Sequence, residues 1–100
     1  MNDIAVDYIL EKTMVAVNCL CEGNGTFEER FYNAYISALI RLRLGNPPKE
    51  FADDLKWILE LCDLHLVADK GRMNTILETD QRKLVNKLIH LFIETSRITA

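Results

Sequence analysis

This chain has few residues that break a helix and no large excess of charge of one sign. Its 100 residues include only four glycines and two prolines, and the formal net charge is -3. That scarcity, with 49% apolar and 27% charged residues, is typical of a helical globular protein and excludes a disordered one. The small acidic charge also removes the general electrostatic reason to expect nucleic acid or an anionic membrane as a partner.

Long apolar runs and a basic leader are missing as well. No stretch approaches the ~18 consecutive apolar residues that a membrane-spanning helix needs. The first residues, MNDIAVDYILEK, carry acids where a signal peptide carries lysine or arginine. We therefore expect one cytoplasmic domain over residues 1–100, with no membrane partner.

The cysteines are too few and too oddly numbered for a disulfide framework. Cys19, Cys21 and Cys62 are expected to be reduced structural thiols. Together with His65 they supply residue types that zinc accepts. On a continuous helix, however, Cys19 and Cys21 point about 160° apart. We expect no metal and no cofactor, and keep a zinc-binding protein or small enzyme as the third alternative.

One helix is bounded clearly at both ends. Thr26 and Glu29 form a Thr-x-x-Glu capping box, and Gly45 followed by Pro47-Pro48 predicts a left-handed stop and a new helix beginning near Pro48. We predict a helix from 26 to 44. Its apolar residues cover about 200° of the surface, which is wider than an ordinary amphipathic stripe and predicts burial on two sides.

Three further helices follow from the apolar periodicity. They are expected at about 3–21, at about 49 to 66 or 67, and from 80 to 97. Residues 73–78 are either a loop before the last helix or its first turns, capped by Thr75-x-x-Glu78. No strand is predicted, because alternation is nowhere sustained. The short connections favour an all-α fold, an antiparallel four-helix bundle with room for an extra short helix before the last one.

All four helices carry more apolar surface than one core needs. A bundle of this length buries only about two-thirds of its unfolded surface, so part of the surplus is predicted to face a second copy in a homodimer, or another protein partner. The alternative is that both stripes are core. The candidate interface residues form two stripes, Tyr32, Ile36 and Leu39 on one helix and Trp57, Leu61 and Leu64 on the next.

The residues predict no catalytic or phosphate-binding site. The two histidines, His65 and His90, stand in no recognisable motif, so we expect a non-enzymatic interaction or accessory protein. The alternative is a nucleic-acid-binding regulator, because Arg72, Lys83 and Lys87 belong to basic clusters. Direct DNA or RNA binding is disfavoured, since acids are interspersed and no polar recognition helix is present.

Three short motifs follow one another from residue 26 onward. They are ERFYNA at 29–34, the pair Leu39 and Leu42, and the turn Pro48-x-Glu50-Phe51. Together they resemble a set of small uncharacterised bacterial proteins with a helix of this type, a leucine pair, a proline-and-acid turn and a C-terminal helix. The resemblance implies an all-helical bacterial protein and carries over no function and no site residue.

Overall fold

The computed structural model describes residues 3–22 and 24–99. The sequence also predicts a cap of the first helix at Asn2 or Asp3 and a stop at Gly23-Asn24-Gly25. Of these residues, Asn2 and Gly23 lie outside the described part of the chain. Helices dominate this part of the chain, and the predicted all-α class is confirmed. The elements, in chain order, are α1 (Val6–Glu22), α2 (Phe27–Ser37), a 3-10 helix (Leu39–Leu44), α3 (Lys49–His65), β1 (Leu66–Val67), a second 3-10 turn (Ala68–Lys70), β2 (Arg72–Met73) and α4 (Glu78–Thr99).

The start of α2 follows the sequence closely. The Thr26 side chain accepts a hydrogen bond from the backbone N–H of Glu29 at 3.1 Å, and the Glu29 carboxylate accepts one from the Thr26 N–H at 3.2 Å. This reciprocal pair satisfies two backbone donors that a helix start leaves free. The predicted capping box is confirmed.

The end of this helix differs from the prediction. The α-helix stops at Ser37, Ala38 leaves helical geometry at φ -144° and ψ -57°, and the chain continues as the 3-10 helix. Gly45 is extended rather than left-handed. The 3-10 helix places residues three apart on one side, and Leu39 and Leu42 both enter the core there. Tertiary packing thus overrides a sequence that could have remained α-helical.

The prediction that this helix is buried on two sides is also wrong. Phe31, Ala34 and Tyr35 are buried, but Ile36 keeps 45% of its surface exposed. The rest of the predicted second stripe is divided, with Tyr32 half-buried and Leu39 moved into the 3-10 helix. The break at Ala38 separates residues that a continuous helix would have aligned.

α1 begins three residues later than predicted. Asp3 forms an isolated parallel bridge with Asn46, and the Ile4 N–H donates to the Asn46 carbonyl at 2.8 Å. Residues paired in this way are extended, so the helix starts at Val6. α3 and α4 lie close to their predicted positions. Leu61, a predicted interface residue on α3, is buried in the core.

A small antiparallel hairpin contradicts the expectation of no strand. Leu66 pairs with Met73 and Val67 with Arg72, and Gly71 closes the turn at φ 62°. Two-residue strands are too short for sequence alternation to reveal them. Residues 74–77 form a loop, as one of the two alternatives predicted. The Glu28 carboxylate accepts the Ile76 N–H at 2.9 Å and ties this loop to α2.

One apolar core joins these elements. α1 packs against both α2 and α4, whereas α3 packs against α4 and the first 3-10 helix. Two buried hydroxyls, those of Thr13 and Thr95, donate to backbone carbonyls one turn earlier at 2.6 Å. Their burial is therefore compensated. None of the described helices combines the length and apolarity needed to cross a membrane.

Candidate functional site

The six predicted interface residues lie in three different environments. Leu39 and Leu61 are buried in the core of their own chain. Tyr32 and Trp57 are half-buried and pack against that core. Ile36 is 45% exposed and Leu64 is 74% exposed. Neither predicted stripe is therefore exposed along its full length, but Trp57 and Leu64 help to line one groove.

That groove runs between α3 and α4 and centres on Trp57. The ammonium groups of Lys83 and Lys87 lie 4.9 Å and 5.6 Å from the centroid of the Trp57 ring. An indole ring attracts cations through its electron-rich face. Lys83 and Lys87 are neighbours on α4 because they are four residues apart, and they meet the indole across the helix pair.

Lys87 also forms an ion pair with α3. Its Nζ lies 2.8 Å from Oδ1 of Asp54, and both side chains are only about a quarter exposed. His90 Nδ1 lies 3.5 Å from the other carboxylate oxygen of Asp54. Partial burial makes such a pair stronger than one at the open surface. The Lys87–Asp54 pair therefore helps to hold α3 on α4.

Two depressions lie along α3 and α4, and Trp57 of the second contacts Lys83 and Lys87 of the first. We call them together the α3–α4 groove. The first has a volume of about 490 Å³ and is lined by Asp54, Thr79, Arg82, Lys83, Asn86, Lys87 and His90. The second has a volume of about 340 Å³ and is lined by Trp57, Glu60, Leu61, Leu64 and Asp80. One end of the groove is rich in hydrogen-bond donors and positive charge. The other end is apolar with an acidic rim.

The opposite flank of α4 has a different chemistry. Three apolar side chains remain exposed there. Met14 on α1 is 44% exposed, and Ile89 and Ile93 on α4 are 43% and 50% exposed. An apolar cavity of about 250 Å³ lies between the two helices and the start of α2, and Val17, Cys21, Val85 and Ile89 contribute to its lining. The α1–α4 face is the surface formed by Met14, Val17, Cys21, Val85, Ile89 and Ile93.

Helical periodicity explains why this face is continuous. Met14, Val17 and Cys21 follow one another at i, i+3 and i+7, so they share one side of α1. Val85, Ile89 and Ile93 are spaced four apart on α4. The sequence predicts surplus apolar surface on all four helices. It does not indicate which part of the apolar surface of α4 stays outside the core.

The thiols occupy separate environments. Cys62 is buried, Cys19 is partly buried and Cys21 is exposed. Burial raises the pKa of the Cys62 thiol to about 12, which keeps that thiol protonated and unreactive. Within residues 3–22 and 24–99, no three histidine, cysteine or acidic side chains are grouped to hold a metal ion.

The basic residues considered for nucleic-acid binding are partly engaged within the chain. Arg82 pairs with Glu78 at 2.6 Å, and Lys87 pairs with Asp54. Arg43 bonds both Asp63 and, at 3.2 Å, the Tyr35 hydroxyl. Arg72 lies exposed in β2, away from the α3–α4 groove lining.

The function of this chain has to be inferred from its own residues, because comparison with known proteins gives no match. No protein-family model, curated protein or solved structure matches this chain.

Proposed function

We propose that this chain is a small helical protein-binding module that acts as a cytoplasmic homodimer in a regulatory or accessory role, with the α1–α4 face as its dimer interface. The observation that carries the proposal is the exposure of Met14, Ile89 and Ile93 side by side on two packed helices. Contiguous apolar surface is uncommon on a monomer and marks interaction sites.

A second copy is the partner that fits this face best. The exposed edge of α1 carries Asp7, Glu11 and Glu22, whereas the exposed edge of α4 carries Arg82 and Arg97. Their pairs with Glu78 and Glu94 are surface ion pairs, which are weak enough to exchange for a partner's carboxylate. A two-fold axis parallel to the helices lays α1 of one copy against α4 of the other, so each acidic edge meets a basic edge. Two-fold interfaces need this self-complementarity, and complementary rims select the orientation.

We further propose that the helices form an antiparallel four-helix bundle in each copy. The short connection between α1 and α2 favours antiparallel neighbours, and α1 contacts both α2 and α4. In this arrangement α1 and α4 are free to meet a second copy while α3 covers the opposite flank of α4.

The test compares two isoleucines of similar exposure. Ile89→Asp places a carboxylate in the proposed interface twice per dimer, because the two copies are symmetric. We expect the dissociation constant to rise about 100-fold or more, which corresponds to about 3 kcal/mol. Sedimentation velocity over a dilution series measures the change.

Ile36→Asp is the matched control, since Ile36 is 45% exposed on α2 and lies outside the α1–α4 face. We expect this variant to dimerise like the parent chain. Loss of the dimer in Ile36→Asp but not in Ile89→Asp would show that the interface lies on α2 instead. A strictly monomeric parent chain would contradict the proposal.

The nucleic-acid alternative has weaker support. Arg82 and Lys87 are already paired with carboxylates, and Asp54, Glu60 and Asp80 line the same groove as the lysines. A nucleic-acid backbone carries a phosphate at every residue, so along the groove it would meet Glu60 and Asp80 as well as the lysines.

A further inference from the structure

We infer that the α3–α4 groove binds an extended acidic segment of a partner protein that carries a large apolar side chain at one end of its acids. Arg82 borders both surfaces, but Trp57, Lys83 and Leu64, on which the inference rests, lie outside the α1–α4 face. The inference therefore does not depend on dimerisation. It rests on the charge distribution along the groove, on the position of Trp57 and on the exposure of Leu64.

The positive end of the groove stands out against an acidic chain. The chain as a whole carries a net charge of -3, yet Lys83, Lys87 and His90 line this end beside one lining carboxylate, that of Asp54. Arg82 also lines it and is paired with Glu78. Local charge of this kind attracts an oppositely charged ligand and excludes a like-charged one. The positive end therefore favours carboxylates.

Lys83 is the cation best placed to receive an acidic group. Lys87 is held by Asp54 at 2.8 Å. Within residues 3–22 and 24–99, Lys83 takes part in no ion pair. Its ammonium group instead lies 4.9 Å from the Trp57 ring centroid, and that of Lys87 lies 5.6 Å from the same centroid. An incoming carboxylate gives Lys83 the ion-pair partner that Lys87 already has.

The other end of the groove selects an apolar residue. Trp57 and Leu64 form its exposed apolar part, and Leu64 is 74% exposed. Glu60 and Asp80 stand at its rim and repel further acids. A bound segment is therefore oriented, with its acids over Lys83 and Lys87 and its apolar side chain between Trp57 and Leu64.

The length of the groove sets the length of the segment. Asp54 and Leu64 are ten helical residues apart, which is about 15 Å at the rise of an α-helix. An extended chain covers that distance with about five residues. An extended peptide also suits the ring of Trp57 better than a nucleic-acid base does, because Lys83 and Lys87 already lie over that ring.

Trp57 is the sole tryptophan of the chain, so its fluorescence reports on the groove directly. The probe is a short capped peptide in which aspartates precede leucine and phenylalanine, together with its reverse-order version. We expect a saturable change in fluorescence with one of the two, weakening at high salt because the attraction is screened. A peptide with lysine in place of each aspartate is expected to give no saturable change.

Two variants test the named contacts. Lys83→Glu reverses the charge of an exposed side chain, and we expect about tenfold weaker binding. Leu64→Ala removes the apolar contact, and we expect about threefold weaker binding. Lys70→Glu is the control of equal charge change, because Lys70 lines neither part of the groove. Circular dichroism establishes that each variant is folded.

Each other outcome contradicts the inference in a distinct way. An equal response to the lysine peptide, or equal weakening by Lys83→Glu and Lys70→Glu, excludes recognition of acids at Lys83. Tighter binding of oligothymidylate than of either peptide assigns the groove to nucleic acid. A fluorescence change on dilution without peptide assigns it to a second copy. Repeating the titration with Ile89→Asp separates the result from dimerisation, since peptide affinity is expected to stay the same.

Discussion

The two flanks of α4 differ in chemistry although they belong to one helix and share one core. The flank beside α1 presents Ile89 and Ile93, which are about half exposed. The flank beside α3 presents Lys83 and Lys87 over an indole, with Lys87 paired to Asp54. An apolar flank associates by excluding water, whereas a charged flank associates through interactions that salt screens.

One helix can therefore carry two independent interactions. The buried stripe that includes Leu84, Leu88 and Leu91 separates the flanks and fixes the orientation of both. Substitutions on one flank should therefore leave the other unchanged, while substitutions in the buried stripe should affect the whole fold. Three predictions follow this division, from the largest expected change in free energy to the smallest.

Leu88→Ala should have the largest effect. Leu88 is fully enclosed on the stripe between the flanks, and truncating a buried leucine lowers the free energy of unfolding by about 2–5 kcal/mol. Urea unfolding followed by circular dichroism measures the loss. Leu77→Ala is the control, because Leu77 precedes α4 and is 71% exposed. Similar losses in the two variants would show that Leu88 is not a shared core residue.

Asp54→Asn should have an intermediate effect confined to the charged flank. The change leaves Lys87 without its carboxylate in a partly buried position, and we expect the free energy of unfolding to fall by about 1–2 kcal/mol. The loss should shrink as salt is added, since screening weakens the pair in the parent chain. Unfolding titrations at low and high salt measure both quantities.

Asp53→Asn is the matched control for this prediction, since Asp53 is adjacent in sequence but exposed. We expect its effect to be small. If Asp53→Asn destabilised the chain as much as Asp54→Asn, the Lys87–Asp54 pair would not be what holds this flank. A change in dimer dissociation for Asp54→Asn would show that the two flanks are coupled.

The third prediction concerns the reactivity of the cysteines and involves the smallest expected change in the free energy of unfolding. Cys21 is exposed on the α1–α4 face, whereas burial raises the pKa of Cys62 to about 12. At pH 9 only about one thousandth of the Cys62 thiol is ionised, so at this pH the exposed Cys21 should be alkylated and Cys62 should stay unlabelled in the native chain. Iodoacetamide labelling followed by mass spectrometry distinguishes the two thiols.

The labelling also reports on association. If the α1–α4 face is a dimer interface, alkylation of Cys21 should slow as the protein concentration rises, because the thiol becomes covered. Ile89→Asp should remove this concentration dependence. Labelling of Cys62 at the rate of Cys21 in folded protein would contradict its burial, and a Cys21 rate independent of concentration would place the thiol outside any interface.

The sequence predicted the features of this fold that depend on neighbouring residues. The capping box of Thr26 and Glu29 is confirmed because it joins residues three apart. α3 begins directly after Pro48, as expected from a proline that suits a helix start. Periodicity also located α4, whose buried stripe repeats every three or four residues.

The candidate site was predictable only in part. Trp57 and Leu64 were predicted as interface residues and do line the α3–α4 groove. Lys83 and Lys87 are recognisable in the sequence as members of a basic cluster. Their meeting across α3 and α4 was not predictable, since no sequence pattern states which flanks of two helices face each other. Leu39 and Leu61 were indistinguishable from surface apolar residues for the same reason.

The sequence alone therefore predicts local features, namely where α2 starts, where α3 starts, and that the chain is helical. Tertiary structure alone decided that α2 ends at Ser37, that Leu66 and Met73 pair in a hairpin, and that Glu28 bonds the Ile76 N–H. The reason is physical. Caps and helical periodicity arise from residues a turn apart, whereas the break, the pairing and the exposed flanks depend on what distant segments bury.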